Sequence, residues 1–272
     1  MPARLTHPTP YPDVNVVLHT ILSSVQSILG NHFIGMYLYG SLASGDFDPQ
    51  RSDIDFVIVT ADALPDEMVP ALEAMHARMT ASGLKWVTKL EGSYISQHAL
   101  RRYDPSDAPC PQINEGSFYV ARHGSDWVIQ RHTLREHGVV VAGPAPQTLI
   151  DPVQADDLRR AVLEILHDWW LPMLHAKCPA RLQSSEYQAY AILTMCRALY
   201  TLQHGIIVSK PVAARWAQET LGERWAALIE RALAWRHAAP LDELNETLDF
   251  IRYTLERGQR FEPLLWSCVK EG

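Results

Sequence analysis

Two aspartates, Asp53 and Asp55, stand one residue apart in Ser52-Asp53-Ile54-Asp55, and the apolar run Phe56-Val57-Ile58-Val59 follows directly. On an extended backbone, side chains at i and i+2 project from the same face, so the two carboxylates can share a metal ion. Magnesium suits such a pair: it takes oxygen ligands, commonly one or two protein carboxylates, and keeps water and substrate phosphate in its other positions. Upstream, Gly40-Ser41 closes the aromatic and apolar stretch Phe33-Ile34-Gly35-Met36-Tyr37-Leu38-Tyr39. Gly40 permits a close backbone approach, and Ser41 supplies a hydroxyl and an N–H at an expected helix start, where phosphate binds well. A phosphate-holding turn beside magnesium-holding carboxylates is equipment for a nucleoside triphosphate. An isolated D-x-D is common by chance; its coupling to Leu38-Tyr39-Gly40-Ser41-Leu42-Ala43-Ser44-Gly45-Asp46 gives this one meaning.

A third carboxylate is expected from a neighbouring strand, and Glu91 in Lys89-Leu90-Glu91-Gly92-Ser93 is the candidate by position. It could bind metal or take a proton from an attacking hydroxyl. A surface glutamate at a strand end is the plain alternative on spacing alone.

The elements that must position these groups follow from hydrophobic periodicity. Val16, Val17, Ile21, Leu22, Val25 and Ile28 mark a helix over about 14–29 that Gly30 ends. Strands are expected at Phe33–Tyr39 and Ile54–Thr60, a helix over 65–81, and a third strand over Leu84–Ile95, broken or bulged near Gly92. After Gly143-Pro144-Ala145-Pro146 and Asp151-Pro152 the pattern turns almost wholly helical, which places a boundary near residue 150. Leu158, Ala161, Val162, Ile165, Leu166 and Trp169 form one apolar face, Tyr187–His204 a helix stopped by Gly205, and Ser209 can cap another. Trp216, Leu221, Trp225, Leu228, Ile229, Leu233 and Trp235 carry the pattern through two further helices, and 241–257 form the last. The expected class is α+β: a domain over 1–150 with a mixed sheet and flanking helices, then an all-helical bundle over 151–272.

Bulk properties narrow the chemistry. At 272 residues, 47% hydrophobic and 20% charged, the chain can bury a sizeable core. No apolar run approaches the roughly 18 residues a membrane span needs, and Met1-Pro2-Ala3-Arg4-Leu5-Thr6 has no apolar leader region, so a cytoplasmic location is expected. The 4 cysteines, Cys110, Cys178, Cys196 and Cys268, are far apart and form no C-x-x-C pair; they read as reduced thiols. The 12 histidines include no H-E-x-x-H, and His132 and His137 lack helical ligand spacing, which argues against zinc. A net charge of -7 argues against a general grip on nucleic acid and suits a cationic partner. Trp169-Trp170, Trp216, Trp225 and Trp235 read as packing residues rather than a base-stacking platform. No feature sets an oligomeric state, and a monomer suffices.

The stretch from Tyr37-Leu38-Tyr39-Gly40-Ser41 through Ser52-Asp53-Ile54-Asp55 resembles the nucleotidyltransferase superfamily that includes DNA polymerase beta. Within it the chain looks like the streptomycin and spectinomycin adenylyltransferases, whose α/β domain precedes an all-helical one. Leu193-Thr194-Met195-Cys196-Arg197-Ala198-Leu199-Tyr200-Thr201-Leu202 and Ser209-Lys210-Pro211-Val212-Ala213-Ala214-Arg215-Trp216-Ala217 are similar to that family's second-domain segments. The resemblance implies Gly40, Ser41 and Ser52 near the triphosphate, and Asp53 and Asp55 on magnesium. It implies Glu91 as metal ligand and general base, and Arg197 and Lys210 as ATP-contacting cations. Asp126 in Ser125-Asp126-Trp127 matches another family acid near the nucleotide.

On the acceptor side the chain departs from the family. Asn114-Glu115-Gly116-Ser117-Phe118-Tyr119 lacks the family's drug-packing tryptophan, with Phe118 as an aromatic substitute. In Ser184-Ser185-Glu186-Tyr187-Gln188-Ala189-Tyr190 the family's acidic and histidine positions are not reproduced, though Glu186 can replace an acid. The implied reaction has ATP held across an interdomain cleft with two magnesium ions, an AMP ester formed on a small cationic acceptor such as an aminoglycoside or aminocyclitol, and pyrophosphate released. Two rivals stand beside it: transfer to a protein or RNA hydroxyl, and a nucleotide-binding regulator without catalysis. The full set of carboxylates argues against the second.

Overall fold

The computed structural model describes residues 7–50, 52–175, 180–235 and 243–262. The expectations on Met1–Thr6, on Cys178 and Cys268, and on residues 241–242 lie outside the described residues. The chain divides into two compact units, Met1–Pro152 and Val153–Gly272.

The first unit runs α1 (Pro12–Leu29), β1 (Phe33–Leu38), α2 (Gly40–Ser44), β2 (Ile54–Thr60), α3 (Val69–Ala81), β3 (Leu90–Ser96), α4 (Gln97–Arg101), β4 (Cys110–Asn114), β5 (Ser117–Ala121), α5 (Asp126–His137), β6 (Val139–Ala142) and α6 (Pro146–Leu149). Its 6-stranded sheet has the order β5-β4-β3-β2-β1-β6. β2 and β3 run parallel and the other neighbours antiparallel, so the sheet is mixed. A parallel pair needs a crossover, which α3 provides.

Alternation along the central strands splits their side chains between two cores. Ile54, Phe56 and Ile58 of β2, with Leu90 and Tyr94 of β3, pack beneath residues of α1 and α3. Val57, Val59 and Ile95 point the other way, among Trp127 and Leu134 of α5 and Leu149 of α6. β2 is therefore apolar on both faces, as a strand covered on both sides must be.

The third strand is shorter than expected. Leu84–Lys89 form a turn ending in a 3-10 segment, Val87–Lys89, entered through Trp86 at φ 81. Trp86 and Val87 feed the first core from that turn, so their apolarity belongs to packing and not to a strand. Nor is there a bulge at Gly92: register with β2 is continuous from Ile54–Leu90 to Thr60–Ser96. Gly92 is there because the Phe56 ring fills the space a Cβ would take.

The second unit contains α7 (Ala155–Ile165), a π-helical turn over Leu166–Trp170, α8 (Leu171–His175), α9 (Ser185–His204), α10 (Lys210–Thr220), α11 (Glu223–Ala234) and α12 (Leu244–Gly258). A capping box between Gln154 and Asp157 starts α7, and Gly205, left-handed at φ 68, ends α9. Helix α9 is the hub, packed against α7, α10, α11 and α12. Its buried face includes Ala191, Ile192, Met195, Cys196, Leu199 and Leu202. Ser209 occupies the cap position of α10, but its side chain makes no capping hydrogen bond. Trp170 and Trp225 are buried, whereas Trp169 is 44% exposed and is no core residue. The π-helical turn adds a residue to the helical repeat and turns Trp169 out of the apolar stripe that began in α7.

Candidate active site

Parallel register sets Asp55 of β2 against Glu91 of β3. Both lie on the sheet face that carries Val57, Val59 and Ile95 into the second core. Like charges directly opposite one another are destabilising unless a cation or a proton intervenes. Asp53, two residues before Asp55, adds a third carboxylate at this edge. Its Oδ1 is buried and has no hydrogen-bond partner, although Lys89 Nζ lies 3.4 Å away as an ion pair without hydrogen-bond geometry. An orphaned carboxylate oxygen beside a like-charged pair is an oxygen-only, anionic set, and it fits a hard divalent cation such as magnesium. Among the described residues no three His, Cys, Asp or Glu side chains form a ready-made metal group, so Asp53, Asp55 and Glu91 are not converged on one point in this side-chain arrangement.

The Gly40-Ser41 turn is held against Asp55. Tyr39 N–H donates to the Asp55 carbonyl at 3.2 Å just where β1 gives way to α2. Gly40 follows at φ 60, and a Cβ there would collide with Asp55 Oδ2. Two independent constraints, backbone conformation and space, thus require glycine. Ser41, half-buried, is the second residue of α2, and its carbonyl accepts from Asp46 N–H at 3.1 Å. Ser52 Oγ accepts from Asp48 N–H at 3.0 Å while Ser52 N–H donates to the Asp48 carbonyl at 2.9 Å. Ser52 therefore fastens the loop leading into Asp53.

Tyr39 is the group at the centre that sequence reasoning did not single out. Burial raises its phenol pKa well above the ordinary value, and the fields of Asp55, Glu91 and Asp126 raise it further. The phenol is therefore neutral. Asp126 begins α5, and partial desolvation raises its carboxyl pKa even though the side chain reaches solvent. Next to it, buried Trp127 stacks on His123 at 3.7 Å between ring centroids and lies 6.2 Å from the Tyr39 ring. Ser93 Oγ is 2.7 Å from His123 Nε2, which ties β3, two residues beyond Glu91, to the approach of α5. Burial drives the His123 pKa down to about 3, with Arg131 adding to the effect, so this linking imidazole is neutral.

The β4–β5 hairpin decides which aromatic side chain faces the acids. Glu115 and Gly116, both at positive φ, form its two-residue turn. Phe118 packs into the first core, 5.7 Å from the His76 ring, on the sheet face opposite to that of Glu91. Tyr119, one residue on, takes the other face and is 41% exposed. Its phenol pKa is raised, first by burial and then by Glu91 and Asp126. Strand parity was the missing signal, since neither β4 nor β5 had been recognised.

The remaining expected residues belong to the second unit. Arg197 lies midway along α9, and Lys210 opens α10 with Nζ 4.2 Å above the Tyr190 ring. Tyr190 and Arg197 are seven positions apart on α9, nearly two turns, so they share a face with Tyr187. Thr194, on the same side, has a buried hydroxyl oxygen without a hydrogen-bond partner. Glu186 is exposed in the first turn of α9. The structure thus places Gly40, Ser41, Asp53, Asp55, Glu91 and Asp126 in the first unit, and in the second it sets Lys210 over Tyr190, with Arg197 about two turns further along the same face of α9.

Two family models match the chain. A nucleotidyltransferase domain matches residues 18–94, and an aminoglycoside adenylyltransferase C-terminal domain matches residues 148–256. An aminoglycoside (3'')(9) adenylyltransferase of Klebsiella pneumoniae is 28% identical over 253 residues, covering 86% of this chain and 93% of that protein. A spectinomycin 9-adenylyltransferase of Staphylococcus aureus is 24% identical over 224 residues, covering 78% and 80%. Among solved structures, a spectinomycin adenyltransferase from Enterococcus faecialis, crystallised with ATP and spectinomycin, superposes with a TM-score of 0.67 at 20% identity, over 89% of this chain and 98% of that one.

Proposed function

We propose, for a chain that belongs to the aminoglycoside adenylyltransferase family of nucleotidyltransferases, that it transfers AMP from ATP to a hydroxyl of an aminoglycoside or aminocyclitol and releases pyrophosphate. The observation that carries the reading is the register of Asp55 with Glu91, beside a glycine turn whose missing Cβ is the space Asp55 occupies.

Asp53 and Asp55 would hold magnesium, as two ions, which when bound neutralises charge on the triphosphate and on the departing pyrophosphate. Glu91 is exposed and accepts the proton of the acceptor hydroxyl. As that proton leaves, the acceptor oxygen bonds to the α-phosphorus, the bond from this phosphorus to the bridging oxygen breaks, and pyrophosphate carries away the electron pair. Gly40 lets the backbone approach the phosphates, Ser41 donates to them, and Ser52 keeps the adjoining loop in place. Arg197 and Lys210, two cations of the helical unit, would neutralise charge on the triphosphate. Asp126 and Tyr119 would meet a cationic, ring-bearing acceptor; an acid and an aromatic ring both suit such a ligand. A reaction that consumes ATP and modifies a drug acting inside the cell belongs in the cytoplasm. Among the described residues no helix is long and apolar enough to cross a membrane.

The test is incubation with α-labelled ATP, magnesium and a panel containing streptomycin, spectinomycin and other aminocyclitols. Label should move to at least one drug, with one pyrophosphate released per transfer, and the Asp53→Asn protein should transfer none. ATP binding without turnover on any drug, unaffected by that substitution, would reject the reading.

A further inference from the structure

Lys89 is the last residue of the 3-10 segment that precedes β3, and its N–H donates to the Trp86 carbonyl at 2.9 Å. Trp86 is buried in the first core against Phe47, at 5.4 Å between ring centroids, so the turn that carries Lys89 is anchored. The parallel register pairs Ile54 with Leu90 and Asp55 with Glu91. Continued back by one residue, it sets Asp53 level with Lys89. The resulting opposite-charge pair is the observed contact of 3.4 Å between Lys89 Nζ and Asp53 Oδ1. Both side chains remain partly open to solvent, 43% and 37% exposed, so the ammonium can leave without disturbing a core.

An ammonium and a divalent cation compete for one carboxylate oxygen, because their charges repel. We propose that Lys89 is a tethered counter-ion of Asp53: its ammonium neutralises the carboxylate in the nucleotide-free protein and must swing away before a divalent cation binds there. The inference rests on the reading of Asp53 as a cation ligand. Lysine suits the task, being a compact charge on a flexible four-carbon stem. A triphosphate would give the displaced ammonium a new anionic partner, so nucleotide and cation assist one another's binding, and by linkage the assistance is reciprocal. Lys89 thereby biases the site against free cation and toward the cation that arrives with nucleotide.

Manganese binding to the full-length protein, followed by the paramagnetic resonance of the free ion, tests this without turnover. It is measured with and without a non-hydrolysable ATP analogue, and thermal melting confirms the fold of each variant. In the absence of nucleotide, Lys89→Met should bind manganese about fivefold more tightly than the parent, the scale set by loss of a part-exposed ion pair. The gain from adding the analogue should shrink in the same variant, and Lys89→Arg should keep parent behaviour. Unchanged or weaker manganese binding in Lys89→Met, with binding lost in Asp53→Asn, would overturn the role of Lys89 and leave Asp53 as the ligand. Parent-like binding in Asp53→Asn would remove the metal reading itself, and the counter-ion with it.

Discussion

Asp55 and Glu91 are direct register partners on adjacent parallel strands, and the strand residues that flank them are buried. Leu90 and Gly92 flank Glu91 and are buried, as are Ile54 and Phe56 on either side of Asp55. Neither carboxylate can shift along its strand without moving core residues to the wrong face. The register thus fixes both carboxylates on one face of the sheet, where a shared cation or a transferred proton can link them.

The two acids should therefore fail differently. Glu91→Gln keeps the shape of the side chain and removes the base, so ATP affinity should stay near that of the parent while transfer falls by about 10²–10⁴. Asp55→Asn should weaken both manganese binding and transfer. Single-turnover transfer and equilibrium binding of an ATP analogue separate the two effects. Parent-rate transfer by Glu91→Gln would mean that another group takes the proton.

The sequence made Asp53 and Asp55 readable because a strand apolar on both faces announces itself, and Gly40-Ser41 before it is a rare neighbour. Gly205 ended α9 as expected, for a left-handed residue at a helix end is a local requirement. What could not be read depended on contacts between distant segments. Leu84, Trp86 and Val87 look like strand residues, yet they reach the core from a turn that Trp86 enters at positive φ. The exchange of Phe118 for Tyr119 at the site rests on a hairpin register, and the Lys89–Asp53 pair on parallel pairing across a crossover. Periodicity within a segment carries neither.

A second prediction concerns acid stability. His76 of α3 is 2% exposed, with Nε2 2.7 Å from Tyr94 Oη, and burial pushes its pKa down from 6.5 to about 4. The unfolded chain takes up the proton first as the pH falls. The stability tied to neutral His76 is thus fully present above pH 6.5, is lost as the pH drops toward about 4, and changes no further below that. The shift corresponds to ~3 kcal/mol. His76→Gln can still hydrogen bond Tyr94 but cannot titrate, so denaturant titrations of the two proteins should converge across this window as the parent loses stability. A stability difference independent of pH from 7 to 4 would show that His76 is protonated without penalty.

Gly92 provides the sharpest test of the sheet's interior. Its neighbour Glu91 is exposed, but position 92 is buried, and a Cβ there would strike the Phe56 ring. Both lie in strands with unbroken pairing, so the backbone has little freedom to yield, and overpacking of this kind costs about 1–3 kcal/mol. Gly92→Ala should lower stability by that amount and blunt transfer through displacement of Glu91. Phe56→Leu alone should also destabilise, by opening space beside Gly92. Combined, the alanine methyl enters the space the ring has vacated, so the double variant should be more stable than the sum of the two single losses predicts. Urea titrations of the four proteins give the coupling directly. Strict additivity would mean that Phe56 does not set the identity of residue 92.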